Sequence, residues 1–89
     1  MRSKVQETVS RFIEELRAQH PGVTVQLLDW ESPYVDAWLR LRCSSEEELD
    51  AVTETEARLT TDYYIDEGVY IQVAESYYEP TVSAKKEST

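Results

Sequence analysis

The stretch Tyr34-Val-Asp-Ala-Trp-Leu-Arg-Leu-Arg-Cys43 decides the fold of this 89-residue chain, because its side chains alternate in character at every position. Successive side chains of a β-strand point to opposite faces, so the alternation predicts a half-buried strand over residues 34–43. The apolar side requires a cover, and the other side is left to face solvent or a partner. The apolar set is Val35, Ala37, Leu39, Leu41 and Cys43, and the opposite set is Tyr34, Asp36, Trp38, Arg40 and Arg42.

Two amphipathic helices are predicted to cover this strand. Upstream, apolar residues spaced three and four apart indicate a helix over residues 4–19, which the following Pro-Gly pair ends. Downstream, Ser45 and Glu48 have the spacing of a capping box and begin a second helix over residues 45–64. The end of this helix has an alternative, in which residues 62–65 form a short fourth strand ahead of a hairpin loop.

Two further alternating runs complete a three-stranded sheet. Residues 23–29 form a hairpin with the strand quoted above, and residues 69–76 form a third strand after the second helix. The order α-β-β-α-β predicts an α+β fold, a two-layer sandwich in which a mixed sheet carries both helices on one face. A right-handed crossover places the third strand parallel to the second, while the identity of its neighbour in the sheet stays open. This order resembles that of the cytoplasmic domains of cation-diffusion transporters and of BON-type domains, and the resemblance implies architecture alone.

Composition limits the kind of protein and its partners. The length suits a single domain, predicted over residues 1–80, with a disordered C-terminal tail over residues 81–89. Eighteen acidic and nine basic residues give a net charge of −9, which disfavours nucleic acid and anionic membranes as partners. This acidity suits a basic partner or, alternatively, a halophilic adaptation to high salt. The chain has neither an apolar run of membrane-spanning length nor the apolar core of a signal peptide, so we expect a cytoplasmic protein.

The sequence contains no recognisable catalytic or metal-binding set. His20, its only histidine, follows a helix, and Cys43, its only cysteine, belongs to the apolar side of the strand. Nucleophilic catalysis needs a base directed at a nucleophile, and the chain, with two glycines in all, has no glycine-rich phosphate-binding loop. We therefore expect a protein that is not an enzyme and that uses no cofactor or metal.

One acid interrupts the apolar stripe of the second helix. Glu56 falls near the middle of that stripe, where an unpaired carboxylate is costly. A position at the rim of the core or an arginine partner is the expected solution. The alternative is that Glu56 binds a ligand.

The face of the sheet opposite the helices is the remaining candidate site. Tryptophan, tyrosine and arginine dominate binding hot spots, and alternation along the strands places them there. We predict a protein-interaction or homodimerisation module with Trp38 at its centre, unless residues 77–89 fold over the face. The alternative function is a ligand- or metal-ion-sensing domain that uses this face or the acids around Glu56. The predicted interface consists of Trp30, Tyr34, Trp38, Arg40, Arg42, Tyr70 and Gln72, flanked by Thr24, Gln26, Leu28 and Ala74.

Overall fold

A computed structural model of the protein describes residues 3–79 and has the predicted order of elements. The predicted tail, residues 81–89, lies outside the described residues. Within residues 3–79, neither helix combines the length and apolarity needed to cross a membrane. The elements are helix α1 (Ser3–Gln19), strands β1 (Thr24–Leu28) and β2 (Ala37–Cys43), helix α2 (Glu46–Glu67) and strand β3 (Ile71–Tyr78).

The strands form one mixed sheet in the order β1-β2-β3. β1 and β2 are antiparallel, and β2 and β3 are parallel, as the crossover through a helix predicts. The neighbour of β3, which the alternation leaves open, is β2. The strand that decides the fold is therefore the central one, and its residues alternate between buried and half-exposed along its whole length.

Both helices cover the same side of the sheet, which confirms the predicted α+β class. Four apolar residues of β2 belong to one core cluster with the buried stripes of α1 and α2. Truncating a fully buried leucine in such a core costs about 2–5 kcal/mol. The residues with no exposed surface include Phe12, Leu16, Leu39, Leu41, Val52 and Ile71.

Helix α2 has a defined cap at each end. The Oγ atom of Ser45 accepts a hydrogen bond from the Glu48 N–H at 3.1 Å, which confirms the predicted N-terminal cap. The Glu48 carboxylate in turn accepts from the Ser44 N–H at 2.7 Å, one residue upstream of the usual capping-box partner. At the other end, Gly68 has φ 71°, and its N–H donates to the carbonyl of Tyr64 at 3.0 Å.

Helix α2 extends to Glu67, so the predicted end at residue 64 is three residues short and the alternative strand at 62–65 is wrong. Contacts with α1 hold these last turns in helical form. The ring of Tyr63 packs edge-on against Phe12, with centroids 5.7 Å apart, and its hydroxyl donates to Glu15 at 2.9 Å.

Strand β2 begins at Ala37, so the strand predicted over residues 34–43 is three residues too long. The Asp36 Oδ2 atom accepts from the Tyr70 N–H, and the Asp36 N–H donates to the Tyr70 carbonyl, both at 2.8 Å. This reciprocal pair joins the segments that lead into β2 and β3. It diverts residues 34–36 from the strand, and β3 accordingly begins at Ile71 rather than at residue 69.

A bulge in β3 changes which of its residues face away from the helices. Leu39 pairs with Val73 and the next residue, Arg40, pairs with Glu75, so Ala74 has no partner in β2. One extra residue reverses the alternation of the rest of a strand. Ala74 is therefore left out of the ladder, and Glu75 takes the place opposite Arg40 on the face away from the helices.

Candidate functional site

The side of the sheet opposite the helices, called the open face below, consists of three rows of side chains. Residues paired across neighbouring strands share a face, so each row has one residue from each strand. The row next to the loop of residues 29–36 is the most apolar, and the other two are polar. The rows are Leu28, Trp38 and Gln72, then Gln26, Arg40 and Glu75, then Thr24, Arg42 and Tyr77.

Trp38 and Trp30 pack against each other at the apolar end of the open face. Their ring centroids lie 5.4 Å apart with planes inclined by 54°, and we call them the tryptophan pair. Trp30 keeps 52% of its surface exposed. Leu28, which faces Trp38 across the strands, is only 9% exposed, so it supports the pair instead of adding to the exposed patch as expected.

The indole N–H of Trp38 is buried and has no hydrogen-bond partner among the residues that the structure describes. Buried tryptophans usually find an acceptor, and a buried donor without one costs about 1–3 kcal/mol. The tryptophan pair therefore contains a polar group whose hydrogen-bonding capacity is unused.

A broad cleft of about 930 Å³ adjoins the tryptophan pair. Its walls come from the end of β1, the loop of residues 29–36 and the first turns of α1, and Trp30 belongs to both the pair and the cleft. Apolar and acidic side chains share this lining, so we call it the acidic cleft. The lining residues are Val5, Leu28, Asp29, Trp30, Glu31, Ser32, Pro33, Val35 and Asp36.

The two arginines of the open face already have acidic partners. The Arg40 Nε atom donates to Glu75 at 2.9 Å, and its Nη1 atom donates to Gln26 at 3.2 Å. Arg42 Nη1 lies 3.4 Å from a carboxylate oxygen of Glu79. The predicted arginines are thus on the open face, but their charge is balanced within the sheet.

The acids of the loop differ from these paired groups. Asp29 and Glu31 flank Trp30 in the chain, line the acidic cleft, and make no ion pair or hydrogen bond within residues 3–79. Their carboxylates therefore give this end of the surface a negative charge that the described residues leave unbalanced. In the sequence, these two acids could have been found from their positions on either side of Trp30.

Two residues of the predicted interface lie away from the open face. Tyr34 is 82% exposed in the loop before β2, because the strand begins only at Ala37. Tyr70 precedes β3, and its ring packs against Tyr64 of α2 with centroids 5.5 Å apart. Both residues lie outside the strands, because the hydrogen-bonded pair of Asp36 and Tyr70 directly precedes the first residues of β2 and β3. The structure brings together Trp30, Trp38, Arg40, Arg42 and Gln72 as predicted, and it adds Glu75 and Tyr77, which the bulge hid from the alternation.

Glu56 lies at the edge of the core, as one of the two predicted solutions has it, but it lacks the predicted arginine partner at Oε2. The residue is half-buried, and its Oε2 atom is shielded from solvent with no partner among residues 3–79. Burial raises the pKa of this carboxyl group. Arg58 of the same helix donates to Gln19 at 3.2 Å, and the hydroxyls of Thr53 and Thr60 donate to backbone carbonyls of α2. The expectation of an arginine partner is therefore wrong for Oε2.

The single histidine and the single cysteine have structural surroundings. Thr55 Oγ1 lies 2.7 Å from His20 Nε2 and 3.1 Å from the Ala51 carbonyl oxygen, so the imidazole is hydrogen-bonded to α2. Cys43 is buried in the core, and desolvation raises the pKa of its thiol, which lowers the fraction of reactive thiolate. In the described part of the chain, no three His, Cys, Asp or Glu side chains are grouped to hold a metal ion.

No family model, curated protein or solved structure matches the chain. A function must therefore be inferred from the chemistry of the tryptophan pair, the acidic cleft and the residues around them.

Proposed function

We propose that this protein is a protein-binding module whose partner docks on the tryptophan pair and the adjoining acidic cleft. The observation that carries the proposal is the half-exposed ring of Trp30 packed on Trp38 at the edge of an open sheet face. A tryptophan offers about 150–250 Å² of surface for burial, and tryptophans are prominent among the few residues that supply most of the binding energy at interfaces.

The core of the domain does not account for the tryptophan pair. Leu39 and Leu41, on the other side of β2, are fully buried against the helices and already supply the core contacts of that strand. Trp38 points away from them, and its N–H lacks an acceptor in the described part of the chain. A partner that covers this surface would bury the exposed part of Trp30.

A second copy of the chain is one partner that the proposal includes. Two copies related by a twofold axis would place their tryptophan pairs against each other. The net charge of −9 on each copy opposes their approach, and salt screens this repulsion. Self-association through the open face should therefore become stronger, not weaker, as the salt concentration rises.

Light scattering on the full-length protein at low and high salt, with Trp30→Ala and Tyr34→Ala as matched variants, tests self-association. Partners other than self are sought by affinity capture, identified by mass spectrometry and then measured in purified form. Removal of a central aromatic anchor should cost about 2 kcal/mol or more of binding energy, roughly thirtyfold in affinity. Tyr34 is more exposed than Trp30 but lies off the open face, so its removal should have little effect. Equal binding by the wild type and Trp30→Ala to every partner found would refute the proposal.

The alternative function, sensing of a small ligand or metal ion, rests on the unpartnered oxygen of Glu56. That oxygen is shielded from solvent, so a ligand would reach it only after a movement of α2. Titration of the wild type and Glu56→Gln with calcium or magnesium, followed by NMR shifts of α2 amides, tests this alternative. It gains support only if a metal-induced shift is seen in the wild type and lost in the variant.

A further inference from the structure

We infer that the acidic cleft recognises a basic segment of another protein, with a lysine or arginine side chain seated against Trp30 between Asp29 and Glu31. This inference rests on the proposed function and specifies the chemistry of the partner. It depends on an exposed tryptophan and two unbalanced carboxylates that are adjacent in the chain and line the same cleft.

The residues around Trp30 suit a cationic side chain with an apolar stem. A tryptophan face attracts an ammonium or guanidinium group more strongly than the face of tyrosine or phenylalanine does. Asp29 and Glu31 line the same cleft and have no partner of their own in the described residues, so they are available for charge-assisted hydrogen bonds. The aliphatic stem would lie along the exposed Pro33, as long basic side chains commonly do on apolar surfaces.

The distribution of positive charge in the protein supports an external source for this cation. No lysine or arginine belongs to the lining of the cleft in the described part of the chain. Arg40 and Arg42 pair with acids on the sheet, and Arg11 lies 3.4 Å from Glu67 at the α1–α2 contact. The net charge of −9 draws a basic segment toward the protein and repels a second copy.

The size of the cleft suits a short segment of chain instead of a whole folded surface. Its volume of about 930 Å³ lies near the upper end of the range of about 300–1,000 Å³ found for small-molecule sites. A few residues with one basic anchor would fill such a space. The neighbouring tryptophan pair would then contact apolar residues of the same segment.

Isothermal titration with a capped peptide of alternating leucine and lysine, at low and moderate salt, tests the inference on the full-length protein. A peptide with norleucine in place of lysine is the ligand control. We expect binding of the lysine peptide alone, weakened at the higher salt concentration because screening reduces the attraction. NMR should place the largest shifts on the indole N–H groups of Trp30 and Trp38.

Two double variants that remove the same number of negative charges distinguish binding at the cleft from a general attraction between an acidic protein and a basic peptide. Asp29→Asn with Glu31→Gln should lower the affinity at least tenfold. Glu46→Gln with Glu47→Gln, at the exposed start of α2, should change it less than twofold. Trp30→Leu, which keeps the charge, should also weaken binding at least tenfold. Equal losses from the two charge variants, or no binding by the wild type, would overturn the inference.

Three further results distinguish a failure of this inference from a failure of the proposed function. If replacement of Lys85 and Lys86 by alanine is needed before the peptide binds, the chain's own basic residues compete for the cleft and the inference of an external partner is wrong. If no peptide binds but Trp30→Ala still abolishes self-association or capture of an identified partner, the inference fails and the proposed function stands. If Trp30→Ala changes none of these measurements, both fail.

Discussion

Replacing Glu56 with glutamine tests whether the half-buried carboxylate of α2 lowers the stability of the fold. Its Oε2 atom has no partner in the described residues, and burial raises its pKa above the usual value of 4.5. A carboxyl group whose pKa is higher in the folded state binds its proton more tightly there. The ionised form therefore destabilises the fold, with a penalty that is absent below the unfolded pKa and complete above the folded pKa.

The expected effect comes from removing the charge, because glutamine keeps a polar atom at the position of Oε2. Part of the Glu56 side chain remains exposed, so we expect a gain near the lower end of the range of about 0.5–3 kcal/mol found for single substitutions. Glu56→Gln should therefore raise the free energy of unfolding by about 1 kcal/mol at pH 7. For a domain of this size, that corresponds to an increase in melting temperature of about 4–8 °C.

Thermal and urea unfolding of both proteins between pH 7 and pH 4 measures the effect and its cause. Protonated glutamate and glutamine have nearly the same shape and no charge, so the difference in stability should shrink as the pH falls through the pKa of Glu56. Glu54→Gln, at an exposed position of the same helix, should change stability by less than about 0.5 kcal/mol at any pH. A Glu56→Gln difference that is zero at pH 7, or the same at pH 4, would refute the reasoning.

Three further predictions concern the cap, the loop before β1 and the central strand. Gly68→Ala should lower the free energy of unfolding by about 1 kcal/mol in urea titrations, because a residue with a Cβ is strained at φ +71°. A steric clash is not the cause, since no atom lies within 4 Å of the added Cβ. An unchanged midpoint of unfolding would contradict this prediction. A Cβ on Gly22 would lie 2.6 Å from the Glu48 carboxylate, so Gly22→Ala should displace this carboxylate. Glu48→Gln should therefore cost less stability in a Gly22→Ala background than in the wild type. Additive losses of stability from the two substitutions would exclude the contact. Leu39→Ala should cost about 2–5 kcal/mol of stability, because Leu39 is fully buried. Trp38→Ala, one residue away on the open face, should leave the circular dichroism spectrum unchanged and weaken partner binding. The reverse pattern would show that the two faces of β2 were misassigned.

The order of the elements and the two faces of the central strand could be predicted from the sequence. Burial patterns of period two and period 3.6 are local, so β2 could be divided into a core side with Leu39 and Leu41 and an open side with Trp38 and Arg40. The start of α2 at Ser45 was equally readable, because a cap involves residues that are close together in the chain. The parallel direction of β3 relative to β2 was also predicted, from the crossover through a helix.

Three features could not be predicted from the sequence and are seen only in the folded structure. They are the first residues of the strands, the strand that pairs with β3 and the side chains that meet on the open face. The Asp36–Tyr70 pair and the bulge at Ala74 are contacts between segments more than thirty residues apart, and no periodicity within either segment contains them. Periodicity also does not predict the packing of Trp30 on Trp38 across a loop or the burial of Glu56 without a partner. Alternation specifies the side of a sheet on which a residue lies, but its neighbours depend on the register between strands, which is set by long-range hydrogen bonds and packing.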